Sequence, residues 1–241
     1  MKNTFMSNNY FSFKQFTIHQ EKATFKVGTD SVLLGASASI SGVKRILDIG
    51  TGTGLLAIML AQRCDAEIVA IEPDYESYLE ACINVSLCKW NNRIKVENKT
   101  LQEYNSINNR FDLIITNPPF FSGSLKNPDL RKSYTRYDDS LTSSDILNCV
   151  SRLLNEEGQL QLILPYIEGN IFIAEANRYG LYCNNILKIR PLPSSEIRRM
   201  ILTFSRHRIK PIEKFLTIEH GPRHDFTEDY KNLTKDFYLK F

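Results

Sequence analysis

Short apolar blocks alternate with longer amphipathic stretches between Val43 and Ile163, which predicts strands and helices taking turns along the chain. Val43 to Ile49 reads as a strand, and Leu55 to Ala61 spaces its apolar residues as a helix does. Glu67 to Glu72, Arg93 to Glu97 and Phe111 to Thr116 read as further strands, with a helical pattern from Tyr75 to Leu87 between the first two. Such alternation argues for an α/β fold, a doubly wound, mostly parallel sheet with helices on both faces. Farther on, Leu181 to Ile189 and Arg199 to Phe204 lie close enough in sequence to form a final antiparallel pair. Upstream, Gly28-Thr29-Asp30 before Ser31-Val32-Leu33-Leu34 predicts a helix start capped by Thr29 or Asp30. At 241 residues the chain suffices for one large domain, and no second domain is required.

The most specific chemistry follows the strand Phe111 to Thr116, where the chain reads Asn117-Pro118-Pro119-Phe120. Both prolines have a fixed φ and no N–H, so the turn presents carbonyl oxygens and the Asn117 amide oxygen as acceptors. That array suits the hydrogens of a planar primary amine, whose lone pair is delocalised, and can aim its nitrogen at an electrophile. The Phe120 ring can hold a flat substrate from one face, with stacking worth roughly 1–3 kcal/mol per base. Taken alone, the tetrapeptide is also a loop stiffened by two prolines, and its context decides between the two.

The context is the turn Asp48-Ile49-Gly50-Thr51-Gly52-Thr53-Gly54. Glycines at alternate positions permit positive φ and let a ligand touch the backbone. Dinucleotide loops run G-x-G-x-x-G with a pyrophosphate on the helix N-terminus. Here the spacing is G-x-G-x-G and Asp48 precedes it, so pyrophosphate is repelled and a nicotinamide oxidoreductase is disfavoured. A carboxylate there suits an ammonium group, such as that in the methionine part of S-adenosylmethionine. Glu72 stands about 20 residues past the glycines, where an acid receives ribose hydroxyls in this architecture. Acids at strand ends are commonplace, and it is the flanking motifs that single this one out. After the next strand, Asn98, Thr100 and Leu101 are candidates to meet the cofactor's adenine ring. Thr29 and Asp30 are candidates to close over its methionine end, a role on a par with plain helix capping.

Together these residues resemble the S-adenosylmethionine-dependent methyltransferases that modify exocyclic amines. In particular, the chain is similar to the bacterial family that methylates the 6-amino group of an adenine beside the anticodon of a valine tRNA. Phe11 to Phe16 and Lys26 to Ala36 resemble that family's opening block, Arg136-Tyr137 through Leu141 the segment after the amine clamp, and Tyr230 through Leu239 its closing segment. Phe120 stands where the family often has Tyr, which removes a hydroxyl but keeps the stacking face. Thr100 stands where it has an acid, so the adenine-ring contact departs from the family pattern. The resemblance implies a Rossmann-like class I methyltransferase with seven strands, the last antiparallel. The expected organisation is a single methyltransferase domain over 1–241. Residues 1–42 form an N-terminal extension and capping segment, 43–205 the cofactor-binding core, and 206–241 a tail packed on it. Asn117, Pro118 and Phe120 are the expected catalytic residues, and Thr29, Asp30, Asp48, Gly50, Gly52, Gly54, Glu72, Thr100, Leu101 and Asn117 the expected cofactor contacts. A tRNA anticodon stem-loop is the expected partner, and no obligate protein partner is inferred.

The net charge of +3 says little about nucleic acid, and the clustering of cations says more. Arg131, Lys132 and Arg136, interleaved with Tyr134 and Tyr137, follow the amine clamp. Of these, Arg131, Lys132, Arg136 and Tyr137 are taken as substrate-binding. Arg198, Arg199, Arg206, Arg208 and Lys210 surround the last predicted strand, although any single surface cation is more often just solvated. Five scattered cysteines without a C-x-x-C pair argue against zinc and against a disulfide framework. The four histidines form no ligand-spaced pair on a helix, since Gly221-Pro222 separates His220 from His224, and no metal site is read. No apolar run reaches the ~18 residues of a membrane span, and Met1-Lys2-Asn3-Thr4 lacks a secretion signal, so cytoplasm is the default. The aromatic tail Phe237 to Phe241 is expected to pack against the domain.

The expected mechanism is direct in-line transfer without a covalent enzyme intermediate or a strong base. Three rivals remain. A protein methyltransferase acting on a glutamine amide uses the same acceptor array, and a guanine-directed RNA methyltransferase also acts on an exocyclic amine. A non-enzymatic RNA-binding module predicts a degraded cofactor loop, whereas Asp48, Gly50, Gly52 and Glu72 are all present.

Overall fold

The computed structural model describes residues 8–104, 110–119 and 141–241. It opens on an antiparallel hairpin, β1 (Tyr10–Ser12) with β2 (Thr17–His19), followed by α1 (Thr29–Ser37). The alternating blocks then give β3 (Arg45–Ile49), α2 (Leu55–Arg63), β4 (Glu67–Ile71), α3 (Tyr75–Leu87), β5 (Ile94–Glu97) and β6 (Phe111–Thr116). Past the undescribed stretch come α4 (Ser143–Leu153), β7 (Leu154–Pro165), α5 (Tyr166–Ala176), β8 (Tyr182–Arg190), β9 (Arg199–Ser205), β10 (Ile212–Thr217) and α6 (Glu228–Thr234).

The main sheet runs β10-β8-β9-β7-β6-β3-β4-β5. Every pairing in it is parallel except those of β9, which is antiparallel to both β7 and β8. This is the expected doubly wound sheet with one reversed strand, enlarged by β10 on the edge of β8. The stretch expected only as a packed tail thus supplies an eighth strand. Its sequence hides that role, because Ile212 to Phe215 are exposed and only Leu216 is buried, leaving no core-facing alternation to read.

Strand alternation feeds two apolar layers, as a sheet covered on both faces demands. Ile46, Leu113, Ile115 and Ile163 face one layer with α1 and α2, whereas Leu47, Ile49, Ile114, Leu160 and Leu162 face the other with α4 and α5. Phe237 is buried, and Tyr238 packs against Phe11, Phe13 and Tyr230, so the aromatic tail closes over the N-terminal hairpin as expected. Cys149 and Cys183 are buried, and burial pushes their thiols up to about 11 and about 12, which keeps them unreactive. Among the described residues no helix is long and apolar enough to cross a membrane, and no group of three or more His, Cys, Asp or Glu is gathered as a metal site.

One local expectation fails. Helix α1 begins at Thr29 itself, its N-cap is Gly28, and no side chain caps it. Asp30, one residue inside the helix, instead accepts a hydrogen bond from Arg199 Nε at 2.8 Å. Thr29 and Asp30 both lie inside the helix, where neither stands at the capping position.

Candidate active site

Parallel strands bring their C-terminal ends to one edge, and the loops leaving β3, β4 and β6 meet there. The loop after β3 turns on three glycines with positive φ, 67° at Gly50, 57° at Gly52 and 82° at Gly54. A Cβ on Gly50 or Gly52 would meet nothing within 4 Å, so conformation, and not crowding, requires glycine there, and the backbone lies open to a ligand. The loop is pinned from beneath. Gly50 N and Thr51 N both donate to Ile71 O, at 2.9 and 3.0 Å, and Gly54, the N-cap of α2, donates to Thr51 O at 3.0 Å.

Asp48 is fully buried at the end of β3. Its Oδ2 accepts from the Thr51 hydroxyl at 2.5 Å, while its Oδ1 has no hydrogen-bond partner among the described residues. Burial pushes this carboxyl up to about 7. The Thr51 hydroxyl opposes the shift, the Glu72 charge adds to it, and the Ala57 backbone slightly opposes it. Glu72 is buried too, and burial raises its carboxyl against the opposing backbone N–H groups of Asp74 and Gly52. Its Oε2 accepts from Gly52 N at 2.8 Å and its Oε1 from Asp74 N at 3.0 Å. Each oxygen keeps a second lone pair for a hydroxyl donor.

Asn117 leaves β6 at the same edge, with Pro118 buried and Pro119 half-buried behind it. Its Nδ2 donates to the Ser31 hydroxyl of α1 at 2.9 Å, which leaves Oδ1 as an available acceptor among the described residues. The carbonyls and amide oxygen expected of this turn therefore stand beside the glycine loop, because β3 and β6 are neighbours with Ile49 opposite Thr116. The Thr116 hydroxyl ties the two together by donating to Ile49 O at 2.9 Å.

The remaining expected contacts divide. Thr29 is exposed at the start of α1, and Asp30 is held by Arg199. Asn98 donates to the carbonyls of Glu72 and Pro73, at 2.8 and 3.1 Å. Thr100 is engaged with Glu103 through its N–H and hydroxyl, at 2.9 and 3.0 Å. Leu101 is buried in the second apolar layer. Phe120, Arg131, Lys132, Arg136 and Tyr137 lie outside the described residues. The second cationic group is split by the length of β9, whose reversal decides which end faces the site. Arg198 and Arg199 stand at the edge carrying Asn117, opposite Pro165, whereas Arg206 lies at the far edge and bonds Ser151 O and Leu154 O.

Sequence reasoning missed the polar line on α3. Glu80 is buried and accepts the backbone N–H groups of Glu21, Lys22 and Ala23, at 2.7, 3.1 and 2.7 Å. Asn84 bonds both the N–H and the carbonyl of His19 and also Thr53 O of the glycine loop, at 2.9 Å for the last. The N-terminal segment is thereby fastened to the loop. A signal was present: Ser77, Glu80 and Asn84 fall on the helix face that also carries Ala81 and Val85.

The methyltransferase small-domain family matches residues 15–165. A relative from Trichodesmium erythraeum, named tRNA1(Val) (adenine(37)-N6)-methyltransferase, is 40% identical over 240 residues, covering 98% of this chain and 100% of its own. One of the same name from Bacteroides thetaiotaomicron is 43% identical over 236 residues, covering 97% and 99%. Among solved structures, an Agrobacterium tumefaciens protein described as a predicted O-methyltransferase superposes with a TM-score of 0.65 at 22% identity, over 86% of this chain and 96% of that one. That likeness bears on the fold alone, a Rossmann-like class I methyltransferase.

Proposed function

The chain belongs to the methyltransferase small-domain family, and from that premise we propose that it moves a methyl group from S-adenosylmethionine to the 6-amino group of an adenine in a tRNA anticodon loop, that of a valine tRNA. The observation that carries this reading is the Asn117 amide, whose nitrogen is taken by Ser31 so that, among the described residues, its oxygen is left as an acceptor beside the glycine loop. Full-length relatives bearing the name of that activity support it.

The residues fit the cofactor. An ammonium group suits the unpartnered Asp48 Oδ1, and the open faces of Gly50 and Gly52 leave room against the backbone. Glu72 keeps lone pairs for ribose hydroxyls. When bound, the cofactor supplies an electrophilic methyl group on a positively charged sulfur. Everything else falls to the chain. Asn117 Oδ1 and the Pro118 carbonyl accept the amine hydrogens and orient the nitrogen lone pair. As that nitrogen gains positive charge, the two acceptors hold it more strongly than they hold the neutral amine, which lowers the barrier. The product nitrogen is acidic and loses its proton to water, so no base is required. An adenine in a loop is already partly unstacked, and extruding it costs less than the few kcal/mol of a duplex base.

The test supplies labelled cofactor with bulk tRNA in one arm and glutamine-bearing peptide in the other, followed by nucleoside mass spectrometry. N6-methyladenosine from the tRNA arm is expected. Asn117→Ala should reduce turnover by more than 100-fold, about 2.7 kcal/mol or more of barrier, while cofactor affinity stays within about twofold. Label in the peptide, or in guanosine, overturns the reading.

A further inference from the structure

Two exposed side chains at the catalytic edge have no role in the transfer itself. Tyr166, the first residue of α5, is 41% exposed and follows directly on Pro165 at the end of β7. Its backbone N–H donates to Arg198 O at 3.2 Å, which joins the start of α5 to the residue just before β9. Arg199 turns toward α1, where it meets Asp30. Arg198 lies just outside β9, between Arg199 and Ile197, and Ile197 packs on the apolar layer that carries α5. Arg198 is exposed. Neighbouring strands are about 4.8 Å apart, so β7 lies one strand width and β9 roughly 10 Å from the end of β6.

We propose that Tyr166 and Arg198 form a docking strip for single-stranded RNA beside the methylated base, the ring stacking on a neighbouring base and the guanidinium meeting a backbone phosphate. This rests on the tRNA reading above and deepens it. Anticodon loops are recognised through unstacked bases on aromatic rings and phosphates on cations, the two chemistries paired here. Ile167, 71% exposed next to Tyr166, extends the apolar part of the strip. Glu168 and Glu196 stand at the same edge, so the strip works through one placed cation and not through a broad positive field.

The test uses the full chain and a synthetic anticodon stem-loop RNA, with binding followed by fluorescence anisotropy across a potassium chloride series. Arg198→Gln should weaken binding about fivefold and lower the slope of log K against log salt by about 0.7 to 0.9, the loss of one phosphate contact. Tyr166→Ala should weaken binding roughly tenfold with the slope unchanged. Both variants should keep the wild-type cofactor affinity and thermal midpoint, and Arg208→Gln, at the far edge of the sheet, should bind as wild type does. RNA binding by Tyr166→Ala and Arg198→Gln equal to wild type overturns the strip while leaving the proposed function standing. An equal loss in Arg208→Gln also overturns it, since bulk charge then explains the effect. A wild-type chain that neither binds nor methylates the RNA removes both proposals together.

Discussion

Replacing Asp48 by Asn should make the ligand-free protein more stable at alkaline pH while weakening its hold on the cofactor. Asp48 is fully buried, and its carboxyl is pushed from 3.8 up to about 7, chiefly by burial. The folded state therefore binds more protons than the unfolded chain between these two values. For an acid shifted in this direction, stability falls as pH rises through that window and is level above it. The full penalty is about 3 units at roughly 1.36 kcal/mol each, or about 4 kcal/mol, once the folded carboxyl is ionised. An amide carries no such penalty, although a donor left unpaired beside Thr51 costs about 1–3 kcal/mol of its own. That cost does not vary with pH, so the pH dependence isolates the charge. Urea unfolding of both proteins at about pH 5.5 and about pH 8.5 spans roughly the last 1.5 units of the wild-type titration. The stability difference should move in favour of Asp48→Asn by about 2 kcal/mol between the two. A difference that stays flat with pH, or moves the other way, refutes the claim that Asp48 is strained by burial in the free protein.

Gly52→Ala should cost only about 1–2 kcal/mol of stability, since the penalty is conformational. It should lower cofactor affinity at least tenfold by filling the open face of the loop, as measured by calorimetry. Comparable losses in both quantities would contradict the open-face reading. Glu80→Ala strips the acceptor from three backbone N–H groups and should destabilise the fold by about 3 kcal/mol. Hydrogen exchange should then quicken at residues 19–24 and stay slow in β3 and β6. Uniform quickening would mean that Glu80 supports the whole core and not the N-terminal segment alone.

Much of this site was legible because its signals are local. Asp48 to Gly54 and Asn117 to Pro119 each declare a strand, its end and the chemistry of the turn within a dozen residues. The contacts that finish the site are not local. Ser31 meets Asn117 across 86 positions, Asp30 meets Arg199 across 169, and only the folded sheet brings them together. The cap expected of Thr29 or Asp30 failed locally, because the helix already includes both residues and Gly28 takes the capping position. The five cations grouped by sequence around β9 were divided by the strand between them, which carries its two ends to opposite edges of the sheet, and a reading by proximity along the chain does not register that. Strand β10 escaped because an exposed edge strand carries no alternation.

The aromatic seam between Phe11, Phe13 and Tyr238, with Lys14 donating to the carbonyl of Lys235, also bears on how the protein is made. A chain emerging from the ribosome at about 5–20 residues per second presents its first rings long before their partners exist. Native closure of that corner waits for residues 226–241. During synthesis Phe11 and Phe13 are therefore a sticky surface that chaperones or premature association can claim.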